Sequence, residues 1–114
     1  MRSDKLYLVD ILEAVESLDR FLAGKNFEGF YGDEVLKSAT LQKLTVIGEA
    51  ASRISKELKE KYPDVGWPHI AAFRNIAVHA YFAVNWRIVW ETATRNTHEL
   101  KEKIAAILKE NISE

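Results

Sequence analysis

The chain contains no cysteine in its 114 residues. That absence excludes a disulfide framework, a thiolate metal site and a cysteine nucleophile. Two prolines and five glycines are too few for a collagen-like or low-complexity chain. Uninterrupted apolar runs extend only a few residues, far short of the roughly 20 needed to span a bilayer. Neither sign of charge dominates. Sixteen Lys and Arg face seventeen Asp and Glu, a formal charge of −1, which argues against gripping duplex nucleic acid by bulk charge. What is present, 47% hydrophobic and 29% charged residues, suits one globular domain over residues 1–114. A domain of this size buries about two thirds of the surface its unfolded chain exposes. The N-terminal residues lead into an amphipathic pattern carrying acids, not the apolar stretch of a secretion signal, so a cytoplasmic protein is the expectation. The charge is also uneven. Residues 66–98 hold Arg74, Arg87 and Arg95 against Glu91 alone, whereas residues 1–65 hold ten basic and twelve acidic side chains.

Hydrophobic periodicity predicts helices throughout. Leu8, Ile11, Leu12, Val15, Leu18 and Leu22 recur at three- and four-residue steps over residues 4–23, one face of a helix. Ser3 or Asp4 can cap its start, and Gly24 can end it. Residues 24–32 read as a loop with three glycines and three aromatics, Phe27, Phe30 and Tyr31. A long second helix is predicted over 33–61, about 40 Å at 1.5 Å per residue. It carries two apolar lines: Leu44, Ile47, Ala51, Ile54 and Leu58, and beside them Val35, Ala39, Val46 and Ala50. Two lines imply more than one packing partner. Gly48 lies inside this helix at a cost of about 1 kcal/mol against Ala, which points to close helix approach. Pro63 breaks the pattern, and Pro68 suits the first turn of a short third helix over 68–80. Residues 81–85 connect it to a fourth helix over 86–110, with Asn85 as N-cap and Val89, Ala93, Asn96, Leu100, Ile104 and Ile107 on one face. The expected fold is an all-α antiparallel bundle of four helices, five if residues 24–32 or the third helix subdivide.

The chemistry concentrates in Trp67-Pro-His-Ile-Ala-Ala-Phe-Arg-Asn-Ile-Ala-Val-His-Ala-Tyr-Phe82, where Arg74, Asn75, His79 and Tyr81 fall within eight residues of a largely apolar stretch. Asn75 and His79, four apart, share a helix face. Arg74 and His79, five apart, sit roughly 140° around an ideal helix. A common site therefore needs the long arginine stem to curl round, or groups from two chains. One reading is structural: Arg74 paired with an acid, Asn75 bonded to backbone, His79 satisfied in the core. The other is acid–base chemistry on a phosphodiester without a metal. Histidine titrates near neutral pH and arginine offers a fixed cationic fork for phosphoryl oxygens. His79 would lie near a helix C-terminus, where the macrodipole favours its protonated form.

Arg74-Asn-Ile-Ala-Val-His79-Ala-Tyr81 resembles the Arg-x4-His-x-Tyr motif of the HepT-like toxins, a branch of the HEPN superfamily. Val46-Ile-Gly-Glu-Ala-Ala51, Trp67, and Val84-Asn-Trp-Arg-Ile-Val-Trp90 extend the resemblance over essentially the whole chain. It implies a homodimeric, metal-independent ribonuclease in which the RNA's own 2′-OH attacks the adjacent phosphate, leaving a cyclic phosphate and a 5′-OH. By the resemblance, Arg74 is the phosphate ligand, His79 the general acid/base and Asn75 a substrate-orienting residue. It further implies pairing with a minimal nucleotidyltransferase antitoxin that transfers AMP from ATP to Tyr81, and no cofactor. The pattern differs at Asn85, where relatives often carry Asp, and at His69.

The remaining candidates are fewer. Glu49 is expected to face the cleft and pair with Arg74, and His69 could border it. His98 reads as surface. The three histidines lack i,i+3 or i,i+4 ligand spacing, so no metal site is expected. Trp67, Trp86 and Trp90 could stack on bases, but Trp86 and Trp90, four apart, read rather as a core or dimer wedge. The loop aromatics could fold back onto the bundle or cover a partner surface. Two alternatives to the ribonuclease stay open: a non-catalytic HEPN dimer that binds a nucleotidyltransferase or nucleotide, and a structural helical protein.

Overall fold

A computed structural model describes residues 3–79 and 85–110, with backbone alone for residues 77–79. Every regular element among them is helical. The first, α1, runs Asp4–Leu22 and is capped by Ser3, whose side chain accepts from the Leu6 N–H. Its predicted stripe is the buried one: Leu8, Ile11, Val15, Leu18 and Leu22 all lie in the core. Gly24 follows at φ 73°.

The aromatic stretch forms a short helix, α2 (Phe27–Tyr31), capped by Asn26. Five residues are too few to display helical periodicity, which explains its reading as a loop. It folds back on the bundle. Phe30 is fully buried, with its ring centroid 6.1 Å from Trp86 and 5.3 Å from Trp90.

The second long helix, α3, spans Glu34–Arg53 and is capped by Asp33. It ends eight residues before the predicted boundary, so it is about 30 Å long rather than 40 Å. The chain becomes extended at Ile54 (ψ 141°) and Ser55 (ψ 151°), and Ser55 then caps α4 (Lys56–Lys61). A distant partner fixes this break. The Asp4 carboxylate accepts from Ser55 N–H at 2.9 Å and from Ser55 Oγ at 2.6 Å. Of the two predicted apolar lines, Leu44, Ile47, Ala51 and Ile54 are buried, as is Ala50. Val35, by contrast, is 79% exposed. One flank of α3 packs against α1, and another against the segments that follow Pro63.

Those segments are a 3₁₀ turn (Pro63–Val65), α5 (Trp67–Ala71) and α6 (Phe73–His79). The predicted third helix thus subdivides at Ala72. Gly66 starts α5 from the left-handed region (φ 72°), which an L side chain adopts only with strain. Pro68 stands in the first turn as predicted. Trp67 is buried and its Nε1 donates to the Tyr62 carbonyl at 3.0 Å. This removes Trp67 from the candidates for base stacking.

Trp86 through Glu110 is one continuous helical run: α7 (Trp86–Glu91), a π turn (Thr92–Asn96) and α8 (Thr97–Glu110). Asn85 caps it, its Oδ1 accepting from the Arg87 and Ile88 N–H groups. The i→i+5 ring admits one extra residue. Thr97, fully buried, rather than the predicted Asn96 enters the seam, and its hydroxyl donates to the Ala93 carbonyl at 2.7 Å. The α8 helix lies along α1, with Lys101 Nζ 3.1 Å from Asp19 Oδ2. No helix among the described residues is long and apolar enough to cross a membrane.

Candidate active site

The site begins with a glycine. A Cβ at Gly48 would lie 2.5 Å from the Arg74 backbone nitrogen and 2.9 Å from the Ala71 carbonyl oxygen. Those separations are below any real Cβ contact, and both neighbours are backbone. The α3 helix therefore meets the α5–α6 junction main chain to main chain. The expectation of close approach at Gly48 is met.

This contact places Arg74 directly over the residues that follow Gly48 on α3. Its Nη1 donates to Glu49 Oε1 at 3.4 Å and to Ser52 Oγ at 3.3 Å. Ser52 can accept because its own hydroxyl proton goes to the Glu49 carbonyl at 2.7 Å. The predicted Glu49–Arg74 pair is present. Both side chains are near half exposure, 44% and 42%. A pair this open to water contributes about 0–1 kcal/mol, so its effect is to orient the guanidinium rather than hold the fold together. Glu49 Oε2 is also 3.9 Å from Arg53 Nη2, which brings a second guanidinium to the same carboxylate. Ser52 and Arg53 were not singled out by the sequence reading. The signal lay in their spacing, three and four residues beyond Glu49, which puts all three on neighbouring ridges of one helix.

Asn75 follows Arg74 on α6 and is exposed, its backbone N–H donating to the Ala72 carbonyl at 2.9 Å. His79 belongs to the same helix, and its side chain lies outside what the structure describes. Tyr81 falls in the segment 80–84, also outside the described residues. His69 is exposed on α5 with its ring edge-on to Phe73, centroids 5.7 Å apart. His98 is a surface residue, its Nδ1 4.0 Å from Asp19 Oδ1. Trp86 and Trp90 are half-buried and close over Phe30, a core role within this chain.

The arrangement sets a cationic fork at the solvent edge of a helix pair, with its stem anchored where α6 begins. Nη1 alone of the Arg74 donors is engaged among the described residues. Counted against the described residues, the rest of the fork is left for an anion with phosphate geometry.

Comparison with known proteins gives this geometry a context. Residues 11–107 match the family model described as Ribonuclease HepT-like. The chain is 39% identical over 109 residues to the protein named "Putative RNase TTE0752" of Caldanaerobacter subterraneus subsp. tengcongensis, covering 96% of this chain and 97% of that one. It is 36% identical over 109 residues to "Putative RNase MJ1216" of Methanocaldococcus jannaschii, covering 96% and 90%. It is also 36% identical over 108 residues to "Probable ribonuclease HepT" of Thermococcus cleftensis, covering 95% and 98%. No solved structure matches the chain. A family model spanning most of the sequence and near-full-length relatives agree with one another and with the all-helical bundle: the chain belongs to the HepT-like ribonuclease family.

Proposed function

We propose that the chain is a metal-independent endoribonuclease toxin that works as a homodimer, with Arg74 and His79 of both subunits lining one cleft. One His79, neutral, accepts the proton of an RNA 2′-OH as that oxygen attacks the adjacent phosphorus. The new O2′–P bond forms, and the P–O5′ bond breaks. A protonated His79, supplied by the second subunit, gives its proton to the departing 5′-oxygen. The products are a 2′,3′-cyclic phosphate and a 5′-OH. Arg74 neutralises the charge that builds on the phosphoryl oxygens. Proton transfer falls to the histidines, because a guanidinium offers hydrogen-bond donors and no acceptor. Asn75, exposed one residue further on, orients the strand.

The observation that carries this reading is the Arg74 fork. It is 42% exposed, tethered through Nη1 to Glu49 and Ser52, and mounted on the helix that also bears His79. Incubating the purified chain with RNA in excess EDTA tests it. Fragments ending in cyclic phosphate are expected. Intact RNA, together with tight binding of a nucleotidyltransferase, would favour the non-catalytic dimer, the reading for which a net charge of −1 speaks.

Control of the activity follows from the same site. In this proposal a minimal nucleotidyltransferase antitoxin brings ATP to Tyr81: the deprotonated phenol oxygen attacks the α-phosphorus, the O–P bond forms, and the bond to the β-phosphate breaks as pyrophosphate leaves. The phosphodiester so formed sets a bulky anion beside the cleft, obstructing RNA by volume and by charge. Intact-mass measurement after incubation with ATP and the cognate transferase should show the chain heavier by AMP. The Tyr81→Phe chain should gain nothing, and equal gain by that variant would move the modification elsewhere.

A further inference from the structure

Arg74 is held to α3 at two points. Its backbone meets Gly48 main chain to main chain. At its other end Nη1 donates to Ser52 Oγ at 3.3 Å and to Glu49 Oε1 at 3.4 Å. Gly48 and Ser52 are four residues apart on α3, so they share a face, about 6 Å apart along the axis. The arginine stem therefore runs along α3 from one to the other. The two acceptors differ in how firmly they stand. Glu49 reaches Nη1 on a long side chain that is 44% exposed, and it also lies 3.9 Å from Arg53 Nη2. As an anion it cancels part of the charge that a phosphate needs. Ser52 has a single heavy-atom torsion and is half-buried. Its proton goes to the Glu49 carbonyl at 2.7 Å, which fixes the rotor and leaves a lone pair for Arg74. Lys59 Nζ approaches the Ser52 carbonyl, at 3.5 Å, rather than the hydroxyl. This acceptor is neutral, so the guanidinium keeps its full charge.

We infer that Ser52 is a positioning residue for Arg74: its hydroxyl sets the guanidinium in the orientation in which the remaining donors meet the scissile phosphate. The inference rests on the ribonuclease reading above. Ser52 acts through Arg74 and touches no RNA atom. A serine hydroxyl that donates to a carbonyl one turn back is common in helices and asks for no further partner. Here a side chain 22 residues away supplies one. Orientation matters because charge is stabilised best by donors already aimed when it develops, and a misplacement of about 1 Å can cost about 10²-fold in rate. With Nη1 held, the fork cannot turn about its Nε–Cζ bond without breaking the Ser52 contact. An arriving phosphate can then displace the exposed Glu49 carboxylate while Ser52 keeps the fork in place.

Ser52→Ala and Ser52→Thr test the inference in the purified chain. Alanine favours a helix at least as well as serine, so thermal unfolding should not fall. The kcat for RNA cleavage should fall about tenfold, the scale of one hydrogen bond to a charged group. KM should change little, because the charges on Arg74 and on the phosphate are unaltered. Threonine keeps the hydroxyl and its bond to a carbonyl one turn back, and it should restore most of kcat. The pH profile should keep its midpoints in both variants, since no titrating group is replaced. Nitrogen-15 resonances of the Arg74 guanidinium, identified by their loss in Arg74→Lys, give a readout that needs no RNA. Held Nη1 and free Nη2 should be distinct in the parent and threonine chains and merge in the alanine chain. A folded Ser52→Ala chain that cleaves at the parental kcat overturns the positioning role and leaves the ribonuclease reading intact. A threonine chain as slow as the alanine chain overturns it too, as does a loss of activity matched by a loss of stability. A parent chain that cleaves no RNA sinks the ribonuclease reading. The anchor then stands if the Arg74 resonances merge in Ser52→Ala alone, and falls if alanine leaves them distinct.

Discussion

Replacing His79 by alanine should lower RNA cleavage by about 10²–10⁴-fold, the usual contribution of a positioned general acid or base. This corresponds to about 3–5 kcal/mol of transition-state stabilisation. The size follows from what would remain. Arg74 can stabilise negative charge, but a guanidinium offers only hydrogen-bond donors and no acceptor for the 2′-OH proton. Glu49, the nearest carboxylate on α3, is already engaged with Arg74. Among the side chains of the proposed site, imidazole alone ordinarily titrates close to neutrality. Alanine also has the highest helix propensity, so α6 has no local reason to unwind. The measurement is cleavage of end-labelled RNA by purified parent and variant chains, with helical content followed by far-ultraviolet circular dichroism. Cleavage at the parental rate by a folded His79→Ala chain would take His79 out of the mechanism. The double variant His79→Ala/Arg74→Ala should be little worse than the single ones, because groups that act on one transition state are not additive.

The second large effect is on stability. On propensity alone, Gly48→Ala should stabilise α3 by about 1 kcal/mol. The opposite outcome is expected here. The new methyl would stand 2.5 Å from the Arg74 nitrogen and 2.9 Å from the Ala71 oxygen, and neither atom can rotate away. Relief requires moving α6 off α3, an overpacking cost of about 1–3 kcal/mol, which outweighs the gain. Gly48→Val adds two further methyls and should cost more than Gly48→Ala. Thermal unfolding should fall by several degrees for alanine, since about 1 kcal/mol shifts Tm by roughly 4–8 °C in a domain near this size. Because the displaced atoms include the Arg74 backbone, RNA cleavage should fall as well. A Gly48→Ala chain at least as stable as the parent would mean the two helices can part without loss.

Much of this architecture was legible in the sequence. The α1 stripe is long and regular, and it turned out to be the buried face. Asn85, Ser3 and Pro68 stand at the helix starts assigned to them, since caps are local chemistry. Gly48 was readable because a glycine amid strong helix formers needs a packing reason. Glu49 was readable as an acid in an apolar stretch. What escaped was set from a distance or by elements too short to show a period. The end of α3 depends on Asp4, which holds Ser55 from 51 residues earlier in the chain. Nothing in the run Ala50-Ala-Ser-Arg-Ile-Ser-Lys56 announces it. That the third helix could subdivide was open in the sequence, but the place, Ala72, was not marked; it and the π turn at Thr92–Asn96 are adjustments of one residue within otherwise helical patterns. Ser52 escaped because a serine three residues from a glutamate is common on any exposed helix. The choice left open for Phe27, Phe30 and Tyr31 resolves in two directions. Phe30 folds into the core with Phe27 packed partly buried beside it, while Tyr31 stacks on Phe27 from the solvent side.

The Asp4–Ser55 contact has an electrostatic consequence. Asp4 opens α1, and Ser55 caps the start of α4, so the contact brings two helix beginnings together. Each beginning carries unpaired N–H groups and a partial positive charge, and like ends repel. A single carboxylate between them turns that repulsion into attraction: its charge lies in the first turn of α1, while its two oxygens take the N–H and O–H of Ser55. At the corner of the bundle where the long second helix stops, one anion is thus shared between the starts of two helices.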